Sequence, residues 1–199
     1  MLDRNIPFYN VILRCDSYTS SQVTLPDGFS VVPYRDGFEK GWAQMEYAVG
    51  DFDSEQQAEH YFVSTYLPDR AKRENCLFLL NAEGRVIGSC IAWRDTRGAA
   101  TVSSLHWLVV DEAYQGKGLG KALCLAVMEL FAKQGGTPVY IHTQPWSWRA
   151  ILLYISVGFR LQRTDTFSRY ENQYGKAMEV LKSVVPDELF EKLIKSSDR

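Results

Sequence analysis

The sequence predicts a mixed α/β fold, one mostly antiparallel sheet flanked by helices. Three observations carry this. Apolar residues keep helical spacing between positions 36 and 67, and three apolar runs between Cys76 and Val110 are separated by turn residues. After Val110, strand-like and helix-like segments alternate.

The elements follow in order. Asn10–Arg14 alternates weakly and reads as a strand. The polar stretch Ser17–Gly28, with its Pro26-Asp27-Gly28 turn signal, is the candidate boundary, and Phe29–Tyr34 reads as a second strand. Phe38, Trp42, Met45 and Val49 share one helical face, and Ala58, Phe62, Thr65 and Tyr66 continue the pattern after a break. Within that break Gly50 suits a helix C-cap, and Asp53 or Ser54 an N-cap. Cys76–Leu80 and Val86–Trp93 flank the turn Asn81-Ala82-Glu83-Gly84 as a hairpin, and Thr101–Val110 completes a meander. Between Lys117 and Gln134, residues Leu119, Leu123, Ala126, Val127, Leu130 and Phe131 line one helix face, which Gly135-Gly136 ends. Val139–Thr143 is a strand, Trp148–Val157 a helix closed by Gly158, and Phe159–Leu161 another strand. Tyr174–Leu181 is expected to be the last strand and Pro186–Ile194 a terminal helix with Pro in its first turn. The expected layout is an N-terminal extension over 1–28, a domain over 29–183 and a C-terminal helix over 184–199.

Composition excludes several classes. Lys plus Arg number 22 and Asp plus Glu 24, so a net charge of −2 argues against neutralising phosphates along a nucleic acid. The 199 residues are 46% hydrophobic and 23% charged, the make-up of a chain that buries a core. Cys15, Cys76, Cys90 and Cys124 are widely spaced, which suits buried thiols in a reducing compartment. His60 and His142 lack metal-ligand spacing, so no metal is expected. Met1–Asn5 lacks the layout of a signal peptide, and no apolar run approaches the roughly 20 residues that span a bilayer. A cytoplasmic protein without membrane or nucleic-acid partners is expected.

The most informative stretch runs from Leu108 to Lys121. Gly116, Gly118 and Gly120 lie between a strand and a helix, where free N–H groups of the first helical turn favour an anion. Lys117 and Lys121 add positive charge, so a pyrophosphate fits. A Walker A loop needs four residues between its first Gly and the Gly-Lys pair, whereas three stand here and Ala122 follows. A dinucleotide loop needs its third Gly one position later and an acid after the next strand. Gln115-Gly-Lys-Gly-Leu-Gly instead resembles the Gln/Arg-x-x-Gly-x-Gly/Ala signature of the GCN5-related N-acetyltransferase (GNAT) superfamily. Leu108 and Val110 ahead of it match as well, as does the helix ending Tyr154-x-x-x-Gly158-Phe159.

That resemblance, spanning about Phe29 to Val180, implies the acyl-CoA N-acyltransferase fold with splayed central strands, and acetyl-CoA as cosubstrate. It implies that Leu108, Val109 and Val110 contact the pantetheine arm, with the Leu108 amide polarising the thioester carbonyl. Gln115, Gly116, Lys117, Gly118, Leu119, Gly120 and Lys121 would hold the pyrophosphate. Tyr154 matches the tyrosine that protonates the leaving thiolate, as a phenol with a pKa near 10 can; the other reading is a core aromatic. Ser147 stands where many relatives carry Asn. His106 lies on the face of Leu108 and Val110 by alternation, and matches a histidine of arylalkylamine acetyltransferases. It reads either as the base that takes the amine proton or as a satisfied core histidine.

Between Glu46 and Glu59 the chain carries five acids and no Lys or Arg, with Trp42, Tyr47 and Phe52 nearby. By resemblance this region is a wall of the acceptor pocket, where Glu46, Asp51 and Phe52 would attract a cationic amine. The plainer reading is a solvated helix face over core aromatics. Two functions follow: acetyl transfer to the amine of a small molecule or protein by direct attack, or a catalytically silent acyl-CoA-binding sensor. A homodimer is compatible with either.

Overall fold

Turn chemistry and side-chain period decide the elements. In the computed structural model the described residues are 3, 5–19 and 24–198. Met1, Leu2 and Arg4 of the N-terminal reading and residues 20–23 of the Ser17–Gly28 loop lie outside them. The strands are β1 (Val11–Cys15), β2 (Ser30–Pro33), β3 (Cys76–Leu80), β4 (Val86–Arg97), β5 (Ala100–Val110), β6 (Val139–Thr143) and β7 (Arg160–Leu161). The helices are α1 (Phe38–Val49), α2 (Glu55–Tyr66), α3 (Arg70–Glu74), α4 (Leu119–Lys133), α5 (Trp148–Ser156), α6 (Tyr174–Val184) and α7 (Asp187–Lys195). The sheet order is β2-β3-β4-β5-β6-β1-β7. The mixed, mostly antiparallel sheet with flanking helices is therefore as expected.

The chain divides into two compact units; β4 and β5 each pass from one to the other. The first unit contains β2, β3, most of β4, the end of β5 from Leu105, and α1 to α4. Here β2 and β3 pair antiparallel, as do β3 and β4. The Asn81 side chain closes the hairpin by accepting from Arg85 N at 2.8 Å, and Gly84 takes the left-handed φ of 76° that such a turn needs. Trp42, Phe62, Tyr66 and Phe78 are fully buried with Cys76 and Ile91, so α1 and α2 cover one face of β3 and β4. A Cβ on Gly41 would stand 2.8 Å from Val86 Cβ, and only glycine lets α1 come this close to β4. On α4 Leu119, Leu123, Val127 and Phe131 of the stripe read from the sequence are buried, while its Ala126 and Leu130 are half-buried. Truncating a ring such as Phe62 to alanine would cost about 3–5 kcal/mol.

The second unit contains the turn between β4 and β5, then β6, β1, β7 and α5 to α7. β6 runs parallel to the start of β5, with Ser103 opposite Val139 and Ser104 opposite Tyr140. β1 lies between β6 and β7, antiparallel to both. Asp165 ties this unit together: it accepts from Arg14 at 2.9 Å, Arg97 at 2.7 Å and the Tyr140 hydroxyl at 2.9 Å. Burial opposes ionisation there, yet these donors together hold the carboxyl below its ordinary pKa.

One local reading changes, and one short helix is added. Tyr174–Leu181, expected as a strand, is helical and extends to Val184 as α6. Ala177 and Leu181 are buried one turn apart, while Lys176, Glu179 and Lys182 face solvent. That is a 3.6-residue period, with Ala, Met, Glu and Leu as strong helix formers. The short helix α3 had no apolar stripe to announce it; the Asp69 side chain caps it through Ala71 N at 2.8 Å.

Candidate active site

Strand β5 carries the first part of the site. Trp107, in its C-terminal half, has a φ of 52°, a left-handed conformation costly for a bulky residue and concentrated at functional positions. The indole Nε1 donates to the Tyr66 hydroxyl at 2.9 Å, and the Ser89 hydroxyl donates to the Trp107 carbonyl at 3.2 Å. These contacts hold the irregularity from α2 and β4. It also interrupts the strict alternation that put His106 on one face with Leu108 and Val110. The His106 ring lies over Trp93 at 5.8 Å and 29°, and Lys72 Nζ stands 5.0 Å from the same indole. His106 and Leu108 are partly exposed, whereas Val109 and Val110 are buried.

The loop after β5 is shaped by its own side chains. Asp111 accepts from Ala113 N at 3.0 Å and from Arg85 at 2.8 Å, and Gln115 Nε2 donates to the Val110 carbonyl at 2.9 Å. Gln115 thus fixes the loop to the strand end. Gly116 and Gly118 have φ of 78° and 77°, and a Cβ at either would meet open space. Leu119 is buried and anchors the first turn of α4, while Lys117, Gly118 and Lys121 are exposed around it. The N–H groups of that first turn lie beyond the reach of the intrahelical ladder. Such a turn, flanked by two lysines, suits a phosphate group.

Within the same unit a cavity of about 610 Å³ brings together Val109, Val110 and Gln115 with Phe38, Gln44 and Met45 of α1. Three residues expected at the cofactor therefore share one wall.

Glu46 lies on the last turns of α1, and Asp51 and Phe52 follow on the segment between α1 and α2. Ser54 caps α2 by accepting from Gln57 N at 3.1 Å. Glu46 is 1% exposed. Burial first, then the Asp51 charge and the bond to it, hold its carboxyl well above the ordinary range. Burial also raises Asp51, against the bond from Glu46. Glu46 therefore keeps the proton and donates it to Asp51. Phe52 packs with Trp42, Tyr61 and Trp107, all six ring pairs lying between 5.4 and 6.2 Å. Glu46, read from the sequence either as part of the acceptor-pocket wall or as part of a solvated helix face, is thus buried.

Tyr154 belongs to the second unit, on α5, and is 6% exposed. Its carbonyl accepts from Phe159 N at 3.1 Å while Gly158 N donates to the Ile155 carbonyl at 3.1 Å. With Gly158 at φ 109° this is a Schellman ending, and the Phe159 ring covers Tyr154 at 6.0 Å. The Tyr-x-x-x-Gly-Phe pattern has a physical cause: it closes the helix and seats the phenol. Ser147 accepts from Gln144 Nε2 at 3.1 Å.

Trp107 escaped the sequence reading of the site. Glycine marks most left-handed positions, so a tryptophan in one gives no signal.

The comparisons with known proteins fit this geometry. The acetyltransferase (GNAT) family model matches residues 41–159. A mycothiol acetyltransferase of Amycolatopsis mediterranei (strain U-32) is 30% identical over 110 residues, covering 52% of this chain and 34% of its own length. A glucosamine 6-phosphate N-acetyltransferase of Trypanosoma brucei brucei is 33% identical over 87 residues, covering 42% of this chain and 57% of its own. The chain thus spans about a third to somewhat over half the length of these relatives. Among solved structures, a GCN5-related N-acetyltransferase from Sphaerobacter thermophilus superposes with a TM-score of 0.62 at 18% identity, over 78% of this chain and 49% of that one. This last likeness establishes a shared fold. The family match covers more than half of the residues and takes in both β5 and the glycine loop, so the chain belongs to the acetyltransferase (GNAT) family.

Proposed function

We propose that this protein is an acetyl-CoA-dependent N-acetyltransferase that acts on a small-molecule amine. The observation that carries the reading is the continuous run from the irregular strand at Trp107 to the glycine loop at Gly116–Gly120, with Gln115 bonded back to Val110. A protein amine is the wider alternative; the curated relatives named for mycothiol and glucosamine 6-phosphate favour a small acceptor.

Each residue has a part in the reaction. Gly116 to Lys121 hold the pyrophosphate by backbone N–H groups and charge. Leu108, Val109 and Val110 flank the pantetheine arm, and the Leu108 amide polarises the thioester carbonyl. The amine nitrogen attacks the carbonyl carbon, the carbon–sulfur bond breaks, and the Tyr154 hydroxyl gives its proton to the departing thiolate. His106 takes the proton released by the amine. The exposed Asp53 and Glu55 and the half-buried Glu59 draw a cationic acceptor toward the site, while the protonated Glu46 adds no charge.

The test is thiol release from acetyl-CoA over a panel of amines. Acceleration by at least one amine, reduced when His106 is replaced by alanine, supports the reading. Binding of acetyl-CoA with no accelerating amine overturns it in favour of a silent acyl-CoA sensor.

A further inference from the structure

Two consecutive residues of β5, His106 and Trp107, turn their rings to the same side of the sheet. In a regular strand successive side chains face opposite ways. The Trp107 ring packs against Trp42 of α1 at 5.4 Å and Tyr61 of α2 at 5.7 Å, and its Nε1 reaches the Tyr66 hydroxyl. The His106 ring lies on Trp93 of β4, which packs against the same helix-covered cluster. The left-handed φ of 52° at Trp107 is the break in alternation that permits both. His106 is thereby carried to the face covered by α1 and α2. Its ring and that of Trp93 are 5.8 Å apart and 29° from parallel, and both residues are half-buried. Trp93 is held in turn from two further elements. Tyr66, the last residue of α2, meets it edge-to-face at 5.6 Å and 88°, and Lys72 of α3 places its Nζ 5.0 Å from the indole. These residues all belong to the first unit.

We propose that Trp93 is a positioning residue for acetyl transfer: its indole is the platform that fixes the His106 imidazole in the orientation from which it takes the amine proton. The inference rests on the proposed role of His106 as the base and adds the group that sets its geometry. An imidazole turns about two side-chain bonds, yet a base works only with a ring nitrogen lone pair within hydrogen-bond reach of the proton it removes. A flat indole against one face of the imidazole takes away much of that freedom. It leaves the ring nitrogens at the edge, where a proton can be received. As the amine nitrogen bonds to the thioester carbonyl carbon, its N–H proton passes to that lone pair. Trp93 takes no proton itself and acts through His106. Tyr66 and Lys72 keep the indole in place from α2 and α3.

The test is a double-mutant cycle on the full chain. Thiol release is measured with acetyl-CoA and the amine that accelerates it most, for Trp93→Leu and Trp93→Phe, each with His106 intact and with His106→Ala. Trp93→Leu is expected to lower kcat about tenfold, as misorientation of a catalytic group does, while KM for acetyl-CoA stays within about twofold. Trp93→Phe keeps a flat ring and is expected to retain about a third of the rate or more. Combined with His106→Ala, either substitution is expected to change the residual kcat by less than about twofold, because there is no imidazole left to orient. An equal loss in both backgrounds overturns the inference and assigns Trp93 to packing alone. A kcat unaltered by Trp93→Leu overturns it as well. If His106→Ala by itself leaves kcat unchanged, the base lies elsewhere, and the inference falls while acetyl transfer stands. A total absence of acetylated amines removes the parent reading too. Thermal melts show whether each variant is folded. If Trp93→Leu is not, the ring-proton resonances of His106, assigned by their loss in His106→Ala, decide. Stacking on the indole displaces them upfield, and Trp93→Phe is expected to move them; resonances left in place overturn the inference.

Discussion

The indole N–H of Trp107 donates to the hydroxyl of Tyr66 across 2.9 Å, joining the left-handed residue of β5 to the last residue of α2. Tyr66 is 1% exposed, and burial keeps its phenol protonated throughout the physiological range. The bond offsets part of the backbone strain at Trp107. It also fixes where the following amide of Leu108 points.

Tyr66→Phe removes that acceptor and leaves the indole donor unpaired. The loss is about 1–3 kcal/mol, which for a chain of this size lowers Tm by roughly 2–12 °C. A lower kcat with acetyl-CoA affinity retained is expected, because the strand's aim changes while the glycine loop does not. Calorimetry and thiol-release kinetics on the same preparation check both. An unchanged Tm would mean the bond contributes nothing to the strand.

At Gly118 steric and electrostatic causes separate. A Cβ there meets open space, so Gly118→Ala pays only for the left-handed φ of 77°, about 1 kcal/mol. Gly118→Asp pays the same and sets a negative charge among the N–H groups proposed to hold pyrophosphate. Both variants are expected to fold. Titration with acetyl-CoA should show a modest loss for alanine and a loss of at least a hundredfold for aspartate. Equal affinities in the two would remove the pyrophosphate from this loop.

Much of this arrangement was legible beforehand, for local reasons. The sheet's strands were marked by turn residues such as Asn81 and Gly84, and α4 by its stripe from Leu119 to Phe131. The glycine loop was readable because its geometry demands glycine at Gly116 and Gly118. Tyr174–Leu181 misled because Tyr, Val and Leu serve either element, and burial at Ala177 and Leu181 decided for the helix. The conformation of Trp107 and the burial of Glu46 were hidden for a different reason. A strained tryptophan looks like any strand aromatic, and a buried carboxyl looks like any acid on a polar helix face. Both depend on contacts brought in by distant segments.

Tyr154→Phe keeps the ring that Phe159 covers and removes only the hydroxyl. The Schellman ending at Gly158 uses backbone atoms alone, so the helix should survive. The expected result is a kcat lower by ten- to a hundredfold, with acetyl-CoA affinity unchanged. An acyl donor whose leaving thiol is more acidic should recover part of the rate, since it has less need of a proton. An unaltered kcat would take Tyr154 out of the proton transfer.

Glu46 makes stability depend on pH in a direction opposite to most paired carboxylates. Burial, with the Asp51 charge and bond, holds its folded pKa well above that of the unfolded chain. Between those two values the native state retains a proton that the unfolded state has released. The unfolding free energy therefore falls as pH rises through that window, and levels off above the folded pKa. Asp51, also raised, acts in the same sense. Glu46→Gln removes the titration while its amide still donates to Asp51. Melting curves of the two proteins should nearly coincide near pH 4, where the Glu46 carboxyl is largely protonated in both states. Toward pH 7 and above the variant should become the more stable, by a margin that grows and then holds. A margin independent of pH would mean that Glu46 titrates alike in the folded and unfolded chains, and that its proton is not held by the buried bond to Asp51.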